Sequence, residues 1–172
     1  FLAAHPIAGT EYSGPVAANA KLFIGKNIIL CEIDKTNKNI LIFANQIFSK
    51  LRMIVSYMNP DNHDKHIAFV SHLSHLSSFM LGKTVIDEEK NEKNIFDMAG
   101  SGFESTVRLA KSSPDMWVDI FEDNKLNVVK SLNHYIDNLE LMKNMIEINK
   151  FNELKKTLKS INYIKTILKD IK

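Results

Sequence analysis

A chain of 172 residues with 45% apolar side chains is long enough to bury a core, and this composition excludes a disordered polymer. Twenty-two Lys and Arg against 20 Asp and Glu leave a formal charge of +2, so nothing in the charge points to a nucleic-acid partner. The single cysteine, Cys31, excludes an internal disulfide and suits a reducing, cytoplasmic compartment, and no apolar run approaches the ~20 residues of a membrane span.

Residues 1–58 read as α/β. Phe1 to Ala4 is a short apolar strand, and Asn27 to Cys31, rich in β-branched residues, is a second. Ile40, Phe43, Ala44, Ile47, Phe48 and Leu51 recur with a helical period. Met53 to Met58 is a third strand. Strands alternating with a helix predict a parallel or mixed sheet. Three strands make a poor sheet alone, and the chain does not begin with Met, so an upstream part is expected.

From Asn59 onward the pattern is helical. Asn59-Pro60-Asp61 has the form of a helix start, and the helix runs to about Gly82. The charged stretch from Asp87 to Asn94 reads as a solvated loop or helix end. Gly100-Ser101-Gly102 is a turn opening a short helix. Ser113 caps another, with Pro114 in its first turn, and that helix carries Trp117, Ile120 and Phe121 and continues through Val128 to Ile146. A last helix aligns Leu154, Leu158, Ile161, Ile164, Leu168 and Ile171, a stripe fit for a core or a subunit seam.

Three groups carry chemistry. His5 follows a strand, where open α/β sheets bind ligands, and a histidine there accepts a proton near neutral pH. His63, His66, His72 and His75 form two H-x-x-H pairs, each on one helix face. Zinc is set aside, because the H-E-x-x-H carboxylate is missing and Cys31 is far away. His72 and His75 read as flanks of a polar ligand, His63 and His66 as ties between helices. The glycine turn favours an anion, and Arg108 is one of only two arginines, the other being Arg52; its guanidinium suits a carboxylate, a surface ion pair being the plain alternative. Trp117 reads as helical core.

Three blocks in this order, HPIAGTEYSG, HDKHIAFVSHLSH and AGSGFESTVRLAKSSPDMWVDIFEDN, resemble the signature blocks of prephenate dehydrogenases, with the arogenate and cyclohexadienyl enzymes. The resemblance implies a mainly α chain. A helical dimerisation domain over 59–172, similar to the C-terminal domain of 6-phosphogluconate dehydrogenase, follows a small α/β remnant of a Rossmann-type domain over 1–58. It implies NAD- or NADP-dependent oxidative decarboxylation of prephenate, in tyrosine biosynthesis, by a cytoplasmic homodimer. The site for the dinucleotide would lie largely outside this chain, cut just before its catalytic histidine and expected to be inactive alone. His5 resembles the catalytic histidine on the substrate's ring hydroxyl. Thr10 and Glu11 match the pocket mouth, His72 and His75 the substrate side chain, and Arg108 the carboxylate clamp. Ser112 and Trp117 match positions that reach in from a partner subunit. Two departures stand out. Ser74 replaces the proline of S-H-L-P-H, which would loosen the helix. Ser105 stands where the family often has an acid, which puts a charged gate built on that acid in doubt, although Glu104 is adjacent. The alternatives are an arogenate-specific dehydrogenase and a non-catalytic helical module that binds a ligand. No metal, nucleic acid or membrane is expected.

Overall fold

The structure, a computed structural model, describes residues 1–12 and 14–169. Ser13, in the first loop, and Ile171, in the last apolar stripe, lie outside the described residues. The chain is 68% helical, with a three-stranded sheet ahead of its helices, so the mainly α architecture holds.

The sheet has the order β1 (Ala3–Pro6), β2 (Asn27–Cys31), β3 (Ile54–Met58). It is mixed: β1 runs antiparallel to β2, and β2 parallel to β3. The first strand lies two residues further along than the apolar run suggests. His5 therefore belongs to it, opposite Ile29. Ile28, Leu30 and Met53 are buried at its centre. Leu41 and Phe48 pack on them from α1 (Lys38–Lys50), whose start is capped by the Asn37 side chain accepting from the Asn39 amide. Arg52, at φ 56°, sits in the turn from α1 to β3.

One long helical run comes next. It comprises α2 (Pro60–Ile67), a single π turn over Ala68–His72 and α3 (Leu73–Asn91). Asn59 caps it, its side chain accepting from the Asp61 amide at 2.9 Å. The run extends nine residues past Gly82 to Asn91. Asp87 pairs there with Lys83 and Lys90, so the charged stretch is the helix end of the two alternatives. Ser74 does not interrupt the helix; its hydroxyl donates to the Val70 carbonyl four residues back.

The short helix α4 (Ser101–Val107) passes into a 3-10 turn, Arg108–Lys111, and then α5 (Pro114–Asp123) and α6 (Lys125–Glu147). The single helix expected from Pro114 to Ile146 is thus two, broken at Asn124, whose side-chain amide donates to the Asp64 carbonyl at 2.7 Å. Ser113 holds the cap position of α5, but its hydroxyl makes no capping hydrogen bond. The last expected helix is also divided, into α7 (Phe151–Ile161) and α8 (Ile164–Leu168).

By contacts the chain forms two compact units, Phe1–Val128 and Val129–Lys172. The expected 58/59 boundary falls inside the first, at the short connection from β3 to α2. The second contains most of α6, with α7 and α8. No helix is long and apolar enough to cross a membrane among the described residues.

Within the first unit, α3 is fastened to the turn that carries Arg108. Ser78 is 2% exposed; its hydroxyl donates to the Thr106 carbonyl and accepts from the Ala110 amide, both at 3.1 Å. Ser78→Ala strands two backbone groups, so an unfolding stability lower by about 1–3 kcal/mol is expected in urea titration. A midpoint equal to that of the parent protein would show that the hydroxyl carries no such role.

Candidate functional site

The end of β1, the loop after it, the π turn, α3, the 3-10 turn and α5 enclose one cavity of about 660 Å³ in the first unit. His5, Thr10, Glu11, His72, His75, Arg108, Ser112 and Trp117 all line it. Three sequence blocks that lie far apart along the chain thus converge. Lys26, Ser71 and the apolar Ile67, Val70, Met116 and Ile120 complete much of the wall. Ser112 and Trp117 stand in the wall of this chain's own cavity, whereas the resemblance implies that they reach in from a partner; α5 folds back onto the π turn and α3, bringing both residues there.

The π turn is what aims the histidines. One wide turn inside a helix shifts the register of the residues after it, and such turns occur frequently at functional sites. His72 closes that turn and His75 lies one turn on. The His75 ring stacks on Trp117 with centroids 3.6 Å apart, and the buried His72 meets Trp117 and Phe121 edge-on. His75 Nδ1–H donates to the Ser71 carbonyl at 3.0 Å, so the neutral ring offers a lone pair on Nε2. Trp117 Nε1 is buried with no hydrogen-bond partner among the described residues, a donor left over in the cavity wall.

Arg108 closes the other side. Its Nη1 donates to Glu11 Oε2 at 2.5 Å. The Glu11 carboxyl is held below its ordinary pKa, first by a hydrogen bond from its own backbone amide and then by Arg108. Neither nearby alternative serves as the arginine's acid: Ser105 donates back to the Gly102 carbonyl, and Glu104 faces Lys111 at 3.7 Å. The Glu11 pairing spans 97 residues and leaves no local signal in the sequence. The remaining guanidinium hydrogens can receive a planar anion.

His63, expected to tie helices together, meets a strand histidine instead. Its Nε2 lies 2.8 Å from His5 Nδ1, and its Nδ1 lies 2.8 Å from Asp64 Oδ1. His66 is exposed and does not join them. A smaller cavity of about 250 Å³ lies beside this group, lined in part by His5, His63, Asp64, Cys31 and Glu32. No group of three His, Cys, Asp or Glu side chains is placed to hold a metal ion among the described residues.

Burial lowers the pKa of His5, His72 and His75 alike; neighbouring histidines reinforce this at His5 and His72, and Arg108 at His75. All three are therefore neutral in the folded protein at pH 7. The unfolded chain binds these protons below about pH 6.5, the folded chain only at lower pH. Stability present above pH 6.5 is thus lost as the pH falls from there through the folded values. A urea midpoint lower at pH 5.5 than at pH 7.5 is expected, and equal midpoints would refute it.

None of the six glycines forms the strand–turn–helix cradle that holds a dinucleotide diphosphate. Gly100 and Gly102 come nearest in pattern, but they follow a 3-10 turn, Phe96–Met98, rather than a strand. The described residues do not fit that part of such a cofactor.

Comparison with known proteins finds one family along most of the chain. Residues 59–160 match the family model "Prephenate dehydrogenase, dimerization domain", and residues 1–57 match "Prephenate dehydrogenase, nucleotide-binding domain". A cyclohexadienyl dehydrogenase of Zymomonas mobilis is 28% identical over 143 residues, which cover 83% of this chain and 49% of that protein. The crystal structure of prephenate dehydrogenase from Aquifex aeolicus, in complex with hydroxyphenyl propionate and NAD+, superposes with a TM-score of 0.88 at 36% identity. That match covers 98% of this chain and 59% of the other. Synechocystis arogenate dehydrogenase superposes with a TM-score of 0.76 at 26% identity, covering 96% of this chain and 60% of that one. The chain thus spans about half the length of the relatives it matches.

Proposed function

Because this chain belongs to the prephenate dehydrogenase family, we propose that it supplies the substrate-holding and proton-accepting half of an NAD- or NADP-dependent oxidative decarboxylation of prephenate to 4-hydroxyphenylpyruvate. One observation carries this reading: eight side chains from three distant blocks, with the chemistry that reaction needs, line a single cavity.

Each residue has a task that its geometry suits. Neutral His5 takes the proton of the ring hydroxyl as a carbonyl forms there. Arg108, steadied by Glu11, holds a carboxylate of the substrate with its free guanidinium hydrogens. His75 and Trp117 present a polar edge to the substrate's side chain, and His72, Ser112 and Thr10 fill out the wall. Loss of CO₂ then makes the ring aromatic. The dinucleotide, when bound, supplies the hydride acceptor. Held positions in a walled cavity reduce the orientation cost of the step.

The second unit points to assembly. Ile136, Leu139, Ile146, Phe151, Leu158 and Ile161 are large, apolar and exposed there. Helices with such faces need a partner, and a homodimer through the helical part supplies one.

The arogenate alternative has one observation in its favour. His75 is neutral with its lone pair on Nε2, an acceptor suited to the ammonium of an amino acid rather than to a keto group. The deciding experiment uses a protein in which this chain is joined to a complete nucleotide-binding domain. Prephenate and arogenate are each offered with NAD+ and with NADP+, and reduced nicotinamide is followed by absorbance. Turnover of prephenate supports the main reading, and a kcat/KM higher for arogenate moves the assignment to that substrate. No turnover in any combination overturns both, and leaves a helical module that binds without reacting.

A further inference from the structure

We propose that His63 and Asp64 are positioning residues that set the tautomer of His5 and hold the counter-charge for its protonated form. The proposal rests on the reading of His5 as the proton acceptor, and it assigns work to two residues outside the large cavity.

The argument is one of hydrogen-bond direction. An ionised carboxylate only accepts, so the 2.8 Å contact between Asp64 Oδ1 and His63 Nδ1 places a proton on that nitrogen. Neutral His63 then has its lone pair on Nε2. That lone pair faces His5 Nδ1 at 2.8 Å, so His5 must donate from Nδ1. The proton of neutral His5 is fixed on the side of α2, and Nε2 carries the lone pair a general base needs. With both rings neutral, reversing any one of these directions would set two hydrogens, or two lone pairs, against each other.

The same chain of contacts serves the charged state. When the substrate hydroxyl gives up its proton, His5 Nε2 gains it and the ring becomes an imidazolium with hydrogens on both nitrogens. Nδ1–H stays on the His63 lone pair, and Asp64 supplies the negative charge beyond it. One proton moves from oxygen to nitrogen as the carbonyl forms, and the hydride that leaves the same carbon would need the acceptor that a bound dinucleotide supplies. Histidine oriented by a carboxylate is a recurring device in acid–base catalysis; here a second imidazole stands between the two.

Local structure explains why these residues are held. Asn59 caps α2 and pins its first turn, where His63 lies, and Asn124 grips the Asp64 carbonyl from the break between α5 and α6. His63 is only 18% exposed at its side chain, whereas Asp64, at 55%, reaches water. The charged and titratable groups around His5 are His63 and Asp64 on α2, Cys31 and Glu32 beside the smaller cavity, His72 on the π turn, and Glu11, Lys26, His75 and Arg108 around the large one. Of these, Asp64 is the carboxylate joined to His5 through hydrogen bonds.

The test uses the protein with a complete nucleotide-binding domain and 15N-labelled histidine. Imidazole nitrogen shifts are expected to show His5 protonated at Nδ1 at pH 7.5 in the parent protein, and to lose that preference in His63→Gln. In the same protein, His63→Gln and Asp64→Asn are expected to lower kcat by about tenfold or more while KM stays unchanged, as wrong-tautomer variants of carboxylate–histidine pairs do. Asp64→Asn is further expected to move the acid limb of kcat/KM to lower pH, because it removes the charge that favours imidazolium. His5 protonated at Nε2 in the parent protein would overturn the proposal, as would variants with parental kcat and an unmoved limb. A parent protein without turnover would overturn the preceding functional reading, and the nitrogen shifts would then decide the His63–Asp64 assignment by themselves.

Discussion

Replacing His5 with Asn is expected to lower kcat by roughly 10²- to 10⁴-fold, the range that general-base removal covers, with KM changed far less. The asparagine amide still reaches a hydroxyl, so ground-state contact survives while the proton acceptor is lost. The physical case has two parts. His5 lies at the end of β1, locked opposite Ile29, so its ring enters the cavity from a rigid element rather than from a loop. Partial burial lowers its pKa first, and a proton on His63 would oppose a second one on His5, which keeps the ring neutral at pH 7. Activity is therefore expected to rise with pH through a value below 6.5 and then level off. Asn at position 5 should abolish that rise along with the rate. A folded His5→Asn protein that keeps parental kcat would exclude His5 as the base.

The second large effect is expected at Arg108. Arg108→Ala should raise KM by roughly 10- to 100-fold, since a charge-assisted pair to a carboxylate contributes about 1.5–3 kcal/mol. The lower end of that range is favoured because the guanidinium is 49% exposed and partly screened by water. The variant also leaves Glu11 in the cavity wall without its cation, facing an anionic substrate. Arg108→Lys should recover only part of the loss, because an ammonium cannot hold Glu11 and a planar carboxylate in one fork. Substrate titrations of the two variants against the parent separate the cases. An unchanged KM in Arg108→Ala would show that the ion pair with Glu11 is structural only.

Several features are legible in the residues alone. Helical periodicity over Asn39 to Leu51, the Asn59-Pro60 start and the β-branched run Asn27 to Cys31 each appear in the structure close to their expected places, because local pattern and tertiary packing agree there. The three motif blocks carry the family, and their side chains share one cavity. Boundaries are less legible. The helix expected to run on from Pro114 breaks at Asn124, since a side chain that bonds a distant carbonyl outcompetes one more helical turn.

What only the tertiary structure decided is how those blocks meet. Composition and spacing determined a largely helical chain after a small parallel or mixed sheet, a histidine at a strand end and an arginine after a glycine turn; that the sheet is mixed needed the fold. They could not determine that Glu11 is the acid partner of Arg108, because that contact spans 97 residues. Nor could they show that His63, one of two similar H-x-x-H pairs, turns toward His5 while His66 faces solvent. The π turn at Ala68–His72, which fixes where His72 and His75 point, has no signature in hydrophobic period. Periodicity and capping act between residues a few positions apart, and so they are written locally. Hydrogen-bond direction and charge pairing across a cavity depend on distances that exist only after the chain has folded.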